Sequence, residues 1–234
     1  MNILVINGSP KAERSNTLNV TKAFLEGFPS DAQIELVHLA KLNIKPCMGC
    51  YSCWKKTGGK CVIGDDMQGL YEKISKADII IESFPLFFFG MPGPMKTFTD
   101  RCLPLMMPYM GDRVKDSDVC FHKLRDESML QKKFVVISSC GYVEAFPVYP
   151  ALVKQLDMIS GGRFTKILCP QGEIFVSGMA KRQRGGYLKD ITKAGKEFAE
   201  SGRVSKETLE CISKPMLSEQ GYSAVTSASW NLDH

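Results

Sequence analysis

Four cysteines in one short stretch are the residues whose spacing points most directly to chemistry. Cys47, Cys50, Cys53 and Cys61 follow the pattern C-x2-C-x2-C-x7-C. Three thiolates this close together are typical of a [4Fe–4S] cluster, where they converge on one small inorganic core. A zinc site more usually shows two separated pairs. Two interpretations stay open, because the loop either carries a cluster or shapes the rim of an active site without metal.

A polar loop near the amino end predicts a site for an anion. The apolar run Ile3–Ile6 ends at the turn residues Asn7–Pro10, and Ser15–Thr17 precede a helical pattern. The free N–H groups and the dipole of a first helical turn favour an anion placed there. The loop matches neither a Walker motif nor G-x-G-x-x-G, so an ordinary capped turn is the alternative. Lys11 and Arg14 either contact a phosphate or are solvated surface charges.

A second loop is rich in phenylalanine. Phe87, Phe88 and Phe89 follow an apolar strand pattern and lie next to Gly90 and two prolines. Exposing three such rings is unfavourable. Either a helix or a partner subunit covers them, or they form the wall of a site for a flat aromatic ligand, beside backbone that glycine leaves approachable.

Apolar periodicity predicts the framework that positions these loops. Strands are expected at 3–6, 34–39, 78–83, 133–140 and 164–169, and helices at 18–28, 67–76, 94–107, 148–159 and 186–201. This alternation favours βαβ units with right-handed crossovers, and therefore an α/β fold with a five-stranded parallel sheet in a three-layer sandwich.

The strand order decides whether the loops meet. In a sheet ordered 2-1-3-4-5, the carboxyl ends of the strands at 3–6, 78–83 and 133–140 converge on one crevice at the switch point. One loop then offers anion contacts, the next an aromatic wall, and the third, at Ser138–Tyr142, polar backbone groups. A mononucleotide with a large ring system suits this combination, and flavin mononucleotide (FMN) suits it best.

Composition excludes several classes of function. The 234 residues are 44% hydrophobic, which is enough for one sizeable core, and the net charge of +5 suits an anionic small molecule. No dense basic block with interleaved aromatic residues supports a nucleic-acid partner. No apolar run reaches membrane-spanning length and no basic segment precedes the first strand, so we expect neither a membrane partner nor a signal peptide, and a cytoplasmic location. Nine cysteines, an odd number, argue against a purely disulfide framework.

Three motifs in one chain resemble a known family. They are G-S-P…S-N-T from Gly8, P-L-F…G-M-P-G-P-M-K-x-F-x-D-R from Pro85, and C-x-G-C-x-x-C-W…G-K-C-x-I-x-D-D-M from Cys47. Together they resemble the flavodoxin-like NAD(P)H-dependent FMN reductases, including the cysteine-bearing branch related to iron-sulfur flavoproteins. The likeness runs from residue 1 to about residue 170, and it implies a flavodoxin-like fold.

The resemblance also implies a set of cofactor-binding residues. Those expected at the FMN phosphate are Ser9, Ser15, Asn16 and Thr17, with Lys11 added for its position in the loop. Those expected along the isoalloxazine are Pro85, Leu86, Phe87, Phe88 and Gly90, with Gly141, Tyr142 and the adjacent Cys140 at its other edge. Many members have a tyrosine where this chain has Phe87, so the resemblance does not carry over the contact that the tyrosine hydroxyl makes in those members.

The resemblance implies an FMN-dependent oxidoreductase. Hydride passes from NAD(P)H to FMN, and the reduced flavin then reduces a small acceptor such as a quinone, a nitro or azo compound, or free flavin. The cofactor supplies the chemistry, so no catalytic residue is assigned. The alternative is an iron-sulfur flavoprotein that carries electrons between protein partners; a basic net charge disfavours this role and a cluster would favour it.

The resemblance and the sequence pattern together suggest how the chain is organised. Residues 1–203 are expected to form one flavodoxin-like domain with the cysteine loop at 45–66 and an irregular surface insertion at 111–131. Residues 204–234 form an extension that packs on the domain or on a partner subunit, with a capped helix after Ser205 that Pro215 and Gly221 break. We expect a homodimer, because family members commonly complete the flavin pocket from a second subunit and the phenylalanine loop needs a cover.

Overall fold

In the part of the chain that the structure describes, seven strands form two separate sheets. The computed structural model describes residues 1–113 and 120–230, without side-chain detail for 109–121. The strands are β1 (Asn2–Asn7), β2 (Gln33–His38), β3 (Ile79–Pro85), β4 (Met106–Arg113), β5 (Cys120–Leu124), β6 (Lys133–Ser139) and β7 (Phe164–Cys169). Five of them pair in parallel in the order β2-β1-β3-β6-β7, and β4 and β5 form an antiparallel pair. When only the five strands of the large sheet are numbered along the chain, their order is 2-1-3-4-5, so the predicted order is confirmed.

Helices cover both faces of the large sheet. They are α1 (Asn16–Leu25), α2 (Ser52–Lys55), α3 (Met67–Lys76), α4 (Gly93–Asp100), α5 (Pro150–Ser160), α6 (Lys181–Ser201), α7 (Lys206–Ile212) and α8 (Glu219–Trp230). Successive side chains of a strand point to opposite faces, so each apolar strand contributes to two cores. Leu4 and Ile80 pack with α3, α4 and α5, whereas Ile3 and Ile81 pack with α1 and α6. The three-layer sandwich is confirmed.

The α1 and α6 helices approach each other very closely. A Cβ atom on Gly195 would lie 1.9 Å from the carbonyl oxygen of Phe24. The hydroxyl of Thr192 donates a hydrogen bond of 3.0 Å to the carbonyl oxygen of Ala23 across the same contact. Glycine is therefore required at position 195, and the contact fixes the angle at which α1 enters the site described below.

The helix predicted at 94–107 is wrong in its second half. The α4 helix ends at Asp100, a short 3-10 turn spans Leu103–Leu105, and β4 follows. Pro104 lacks an N–H donor and disfavours helical geometry at the preceding residue. The insertion predicted as irregular at 111–131 instead contributes to the β4–β5 pair and a 3-10 turn, while residues 114–119 lie outside the described part.

The carboxyl-terminal region folds back on the domain. The hydroxyl of Ser205 caps α7 by accepting from the N–H of Thr208, as predicted. The predicted break at Gly221 is wrong, because α8 continues through it. Tyr222 and Val225 of α8 pack on Ile174, just beyond β7. The α6 helix also begins earlier than the predicted residue 186, and no described helix has the length and apolar character needed to cross a membrane.

Candidate functional site

Loops after four parallel strands meet at one edge of the sheet. The hydroxyls of Thr17 and Ser139 lie 2.6 Å apart, which joins the loop after β1 to the end of β6. The N–H of Leu86, after β3, donates to the carbonyl oxygen of Ser139 at 2.9 Å. The rings of Phe89 and Tyr142 lie 5.9 Å apart between their centroids. We call this edge the rim.

The loop after β1 is organised by its own polar side chains. The amide oxygen of Asn7 accepts from the N–H of Ser9, and the hydroxyl of Ser9 accepts from the N–H of Lys11. The hydroxyl of Ser15 caps α1 by accepting from the N–H of Leu18 at 3.3 Å. The first-turn N–H groups beyond this cap have no intrahelical partner, so they remain available to an anion. The predicted cap is therefore present, and it leaves donors free at the position where the sequence predicts an anion site.

The five residues predicted at the phosphate differ in how exposed their side chains are. Ser9, Ser15 and Thr17 are buried, Asn16 is half-buried, and Lys11 is exposed. The side-chain N–H₂ of Asn16 donates to the carbonyl oxygen of Gly172 at 3.0 Å and to the carboxylate of Glu173 at 3.2 Å. Its Oδ1 atom is buried and has no hydrogen-bond partner within the described residues. This leaves one acceptor at the rim unsatisfied.

The phenylalanine loop exposes its rings on a strained backbone. Two reciprocal backbone hydrogen bonds of 3.1 and 2.9 Å join Phe87 to Gly90. Between them, Phe88 and Phe89 have φ angles of 45° and 63°, which bulky residues rarely adopt. Phe88 is fully exposed, and Phe87 and Phe89 are each 47% exposed. An exposed apolar surface held under strain marks a place where a ligand or another protein binds.

The loop after β6 brings backbone and one aromatic ring to the rim. Tyr142 is half exposed, and its carbonyl oxygen accepts from the N–H of Gln171 at 2.9 Å. The side chain of Cys140 packs in the core with α3, α4 and α5, so only its backbone reaches this edge. Burial raises the pKa of the Cys140 thiol, which therefore stays protonated at neutral pH. Pro85 and Leu86 are half-buried at the end of β3, and Gly141 is exposed.

Sequence reasoning missed the loop after β7. Gly172 and Glu173 hold Asn16, and the buried Gln171 accepts from the N–H groups of Met216 and Leu217 through its Oε1 atom. The pair Gln171-Gly172 directly follows Pro170, and this turn signal at the end of a predicted strand could have drawn attention to it. The extension before α8 is thereby tied to the rim.

The four cysteines line one small cavity of about 20 Å³, which we call the cysteine pocket. Cys53 is buried and Cys50 is exposed. Burial raises the pKa of Cys53, and the neighbouring charges of Cys61, Cys47 and Cys50 raise it further, so the four thiols are close enough to influence each other. Within the described residues, no three His, Cys, Asp or Glu side chains are grouped closely enough to hold a metal ion.

A buried ion pair fixes the cysteine loop to the end of α4. Both terminal nitrogens of Arg101 donate to the carboxylate of Asp65, at 2.7 and 3.0 Å. Asp65 also accepts from the N–H groups of Lys45 and Met67. The hydrogen bonds with Arg101 are the largest cause that lowers the pKa of Asp65. The D-D-M and D-R segments of the sequence are thus one structural unit.

A large cavity lies away from most of the rim. It has a volume of about 720 Å³ between α4 and α5, and Phe89 is the rim residue that reaches it. Glu82 of β3 lines this cavity and is 9% exposed. Desolvation raises the pKa of Glu82 to about 8. We place the candidate site at the rim, because the anion loop, the aromatic loop and the polar backbone groups meet there.

The sheet order and the loops at its carboxyl edge define a flavodoxin-like α/β protein. Residues 1–146 match the sequence model of the NADPH-dependent FMN reductase family, so the chain belongs to that family. This is more than half of the chain and includes three of the four loops at the rim.

Known relatives and structures agree with this assignment. An iron-sulfur flavoprotein of Methanocaldococcus jannaschii is 35% identical over 109 residues, which is 47% of this chain and 55% of the relative. The chain therefore spans about half the length of the curated relatives it matches. The NAD(P)H:quinone oxidoreductase of Methanothermobacter marburgensis is similar with a TM-score of 0.60 and 17% identity, over 85% of this chain and 96% of the other. An FMN-dependent NADH-azoreductase of Bacillus anthracis in complex with FMN is similar with a TM-score of 0.54 and 19% sequence identity, over 85% of this chain and 100% of the other. At these identities, the two structures support the fold.

Proposed function

We propose that this protein is an FMN-dependent oxidoreductase that takes hydride from NAD(P)H and reduces a small acceptor such as a quinone, a nitro or azo compound, or free flavin. The observation that carries the proposal is the meeting of three loops at the rim, through the Thr17–Ser139 hydrogen bond and the Phe89–Tyr142 ring contact. The family to which the chain belongs supports the same cofactor.

The residues at the rim suit the parts of FMN. The capped start of α1 would receive the phosphate, with Ser9, Ser15 and Thr17 around it. The unpartnered Oδ1 of Asn16 would accept from a ribityl hydroxyl. Phe87, Phe88 and Tyr142 would flank the isoalloxazine, whose flat apolar surface matches their exposed rings. FMN supplies the hydride-accepting chemistry, and these residues bind and orient it.

A steady-state assay tests the activity. The FMN-loaded protein is mixed with NADPH or NADH, and oxidation of the nucleotide is followed with menadione, a nitroarene or free FMN as acceptor. We expect sustained turnover with at least one acceptor. A protein that holds FMN but turns over with none of them would contradict the reductase and favour an electron carrier.

The second candidate function is that of an iron-sulfur flavoprotein, in which the four cysteines hold a [4Fe–4S] cluster. All four line one pocket, and the similar protein of Methanocaldococcus jannaschii carries that name. Sulfurs bound to one zinc ion lie roughly 3.8 Å apart, because each Zn–S bond is about 2.3 Å. A cluster distributes its cysteines over several iron atoms, so its ligands lie farther apart than those of a single ion. Iron and acid-labile sulfide in the anaerobically purified protein test this: about four irons per chain support it, and none contradicts it.

A second subunit is also proposed. The fully exposed Phe88 and the half-exposed Phe87 and Phe89 form an apolar surface at the rim that a partner copy would cover. The same copy would close the flavin site from outside.

A further inference from the structure

The cysteine pocket is lined by a buried cation, Arg101, whose ion pair with Asp65 holds the cysteine loop in place but does not use all of its donors. Among the described residues that line it, Arg101 is the one basic side chain; the others are the four cysteines, Asp100 and mostly apolar groups. The Arg101 side chain is 1% exposed. A fully buried guanidinium is rare unless its charge and its donors are matched.

Most of the donors of Arg101 are satisfied, but one is not. The terminal nitrogens donate to Asp65 and to the carbonyl oxygen of Lys45, at distances of 2.7–3.0 Å. The Nε atom is buried and has no partner within the described chain. Leaving a buried donor unpaired costs about 1–3 kcal/mol, and more when it is charged. Arg101 lines the cysteine pocket, and its side chain thus carries an N–H group for which the described residues supply no acceptor.

The hydrogen bonds of Asp65 also indicate that Arg101 does more than neutralise this carboxylate. Its carboxylate accepts from two backbone N–H groups in addition to Arg101, so its negative charge is partly compensated without the guanidinium. The pKa of Arg101 is raised, chiefly by its hydrogen bonds with Asp65, and the nearby Cys61 adds to the rise. The guanidinium is thus within electrostatic reach of the cysteines as well as of its carboxylate partner.

We propose that Arg101 is an electrostatic partner of a sulfur-ligated iron centre in the cysteine pocket, and that it raises the reduction potential of that centre. This inference rests on the second candidate function above. Reduction adds one electron, and hence one negative charge, to a centre already made negative by four thiolates. In the protein the electron comes from reduced flavin, and in a titration from dithionite. A buried cation and an N–H donor stabilise the more negative form more strongly, so they favour uptake of the electron.

Three variants separate this role from simple support of the loop. Arg101→Lys keeps a positive charge beside Asp65 but removes the Nε donor, and Arg101→Gln removes both. Arg125→Gln is the matched control. Arg125 also holds the cysteine loop, since it packs on Gly59 and donates to the carbonyl oxygen of Pro104, yet it does not line the pocket.

The test is a potentiometric titration of the full-length protein, loaded anaerobically with iron, sulfide and FMN, and followed by electron paramagnetic resonance. Iron per chain is measured on every sample. We expect Arg101→Lys to keep about four irons while its affinity for the electron falls by at least about tenfold, which is about 59 mV toward negative potential for a one-electron couple. Arg101→Gln should shift at least as far, and Arg125→Gln should match the unsubstituted protein.

The outcomes distinguish the two proposals. Full iron with an unchanged potential in Arg101→Lys would overturn the role of the Nε donor, and the same result in Arg101→Gln would overturn the role of Arg101 altogether; either result leaves the cluster standing. An equal shift in Arg125→Gln would also overturn the role of Arg101, because the effect would then follow from loosening the loop. An unsubstituted protein that binds no iron would overturn the cluster and this inference together. If Arg101→Gln does not fold, Arg101→Lys still decides the role of the Nε donor.

Discussion

At the scale of single residues, the clearest consequence of burial concerns Glu82. Its pKa is about 8 in the folded protein, against 4.5 for the unperturbed group. Below pH 4.5 both states are protonated and the carboxyl has no effect on the pH dependence. Between 4.5 and 8 the unfolded chain releases the proton more readily, so stability falls as pH rises, by up to about 1.4 kcal/mol per pH unit.

We predict that Glu82→Gln flattens this dependence. The amide is neutral in both states, so the variant should gain stability relative to the original protein from pH 5 to pH 8, reaching up to about 3 kcal/mol at pH 7. Urea unfolding at several pH values measures it, and Glu72→Gln, on the exposed side of α3, is the control. Parallel pH profiles for Glu82→Gln and the original protein would show that Glu82 ionises normally.

Asn16 carries the second prediction at this scale. Asn16→Ala removes the hydrogen bonds to the loop after β7, and should weaken FMN binding about tenfold, the equivalent of one or two hydrogen bonds. Asn19→Ala is a matched control, since Asn19 donates to the same segment at the carbonyl oxygen of Phe175, one helical turn farther from the rim. Fluorescence titration of FMN measures both. If both variants lost FMN affinity equally, the loss would follow from disturbed packing of α1 and not from a contact between Asn16 and FMN.

At the level of helices and strands, the contact between α1 and α6 sets the direction of α1, whose first turn we propose as the phosphate site. Gly195→Ala would force a Cβ atom against the backbone of Phe24, so we expect a loss of about 2–4 kcal/mol in unfolding free energy. Gly186→Ala, in the same helix but facing open space, should be neutral or stabilising by up to about 1 kcal/mol. Thermal unfolding of both proteins gives the comparison. If Gly195→Ala were tolerated as well as Gly186→Ala, the helices would have to move apart at little cost.

Much of the fold was predictable at this scale because the strands are apolar on both faces. The runs around Ile3–Ile6, Ile79–Ile81 and Val135–Ile137 are apolar at every position. Such continuous runs are typical of parallel strands that helices cover on both faces. The β4–β5 pair was not predictable, because its strands pack on the cysteine loop through Trp54, whose indole N–H donates to the carbonyl oxygens of Leu103 and Met106. Such distant contacts leave no periodicity in the sequence.

The site was predicted in part for the same reason. Turn residues after β1, β3 and β6 drew attention to three loops, and the strand order brings these together. The pairing of Asn16 with Gly172 and of Arg101 with Asp65 spans long stretches of chain. Both contacts depend on the tertiary structure. The residue types alone therefore did not predict which residues would pair.

At the scale of the whole molecule, the exposed phenylalanine loop predicts self-association. We expect light scattering after size exclusion to give about twice the chain mass of 26.0 kDa. Phe88→Ser should shift the protein toward the monomer, because it removes a fully exposed ring from the surface to be buried. Leu130→Ser, a half-exposed apolar residue in the 3-10 turn before β6, is the control and should leave the mass unchanged. A monomeric unsubstituted protein at micromolar concentration would contradict the dimer.

If three loops at one sheet edge bind FMN, as we propose, the purified protein should retain this flavin, and its flavin content can be measured. Purified protein is incubated with FMN, desalted, and its visible absorption spectrum compared with protein concentration; free riboflavin, which lacks the phosphate, is run in parallel. We expect one FMN retained per chain and little riboflavin, since the start of α1 is the proposed phosphate site. A protein that retains neither flavin, or both equally well, would contradict it.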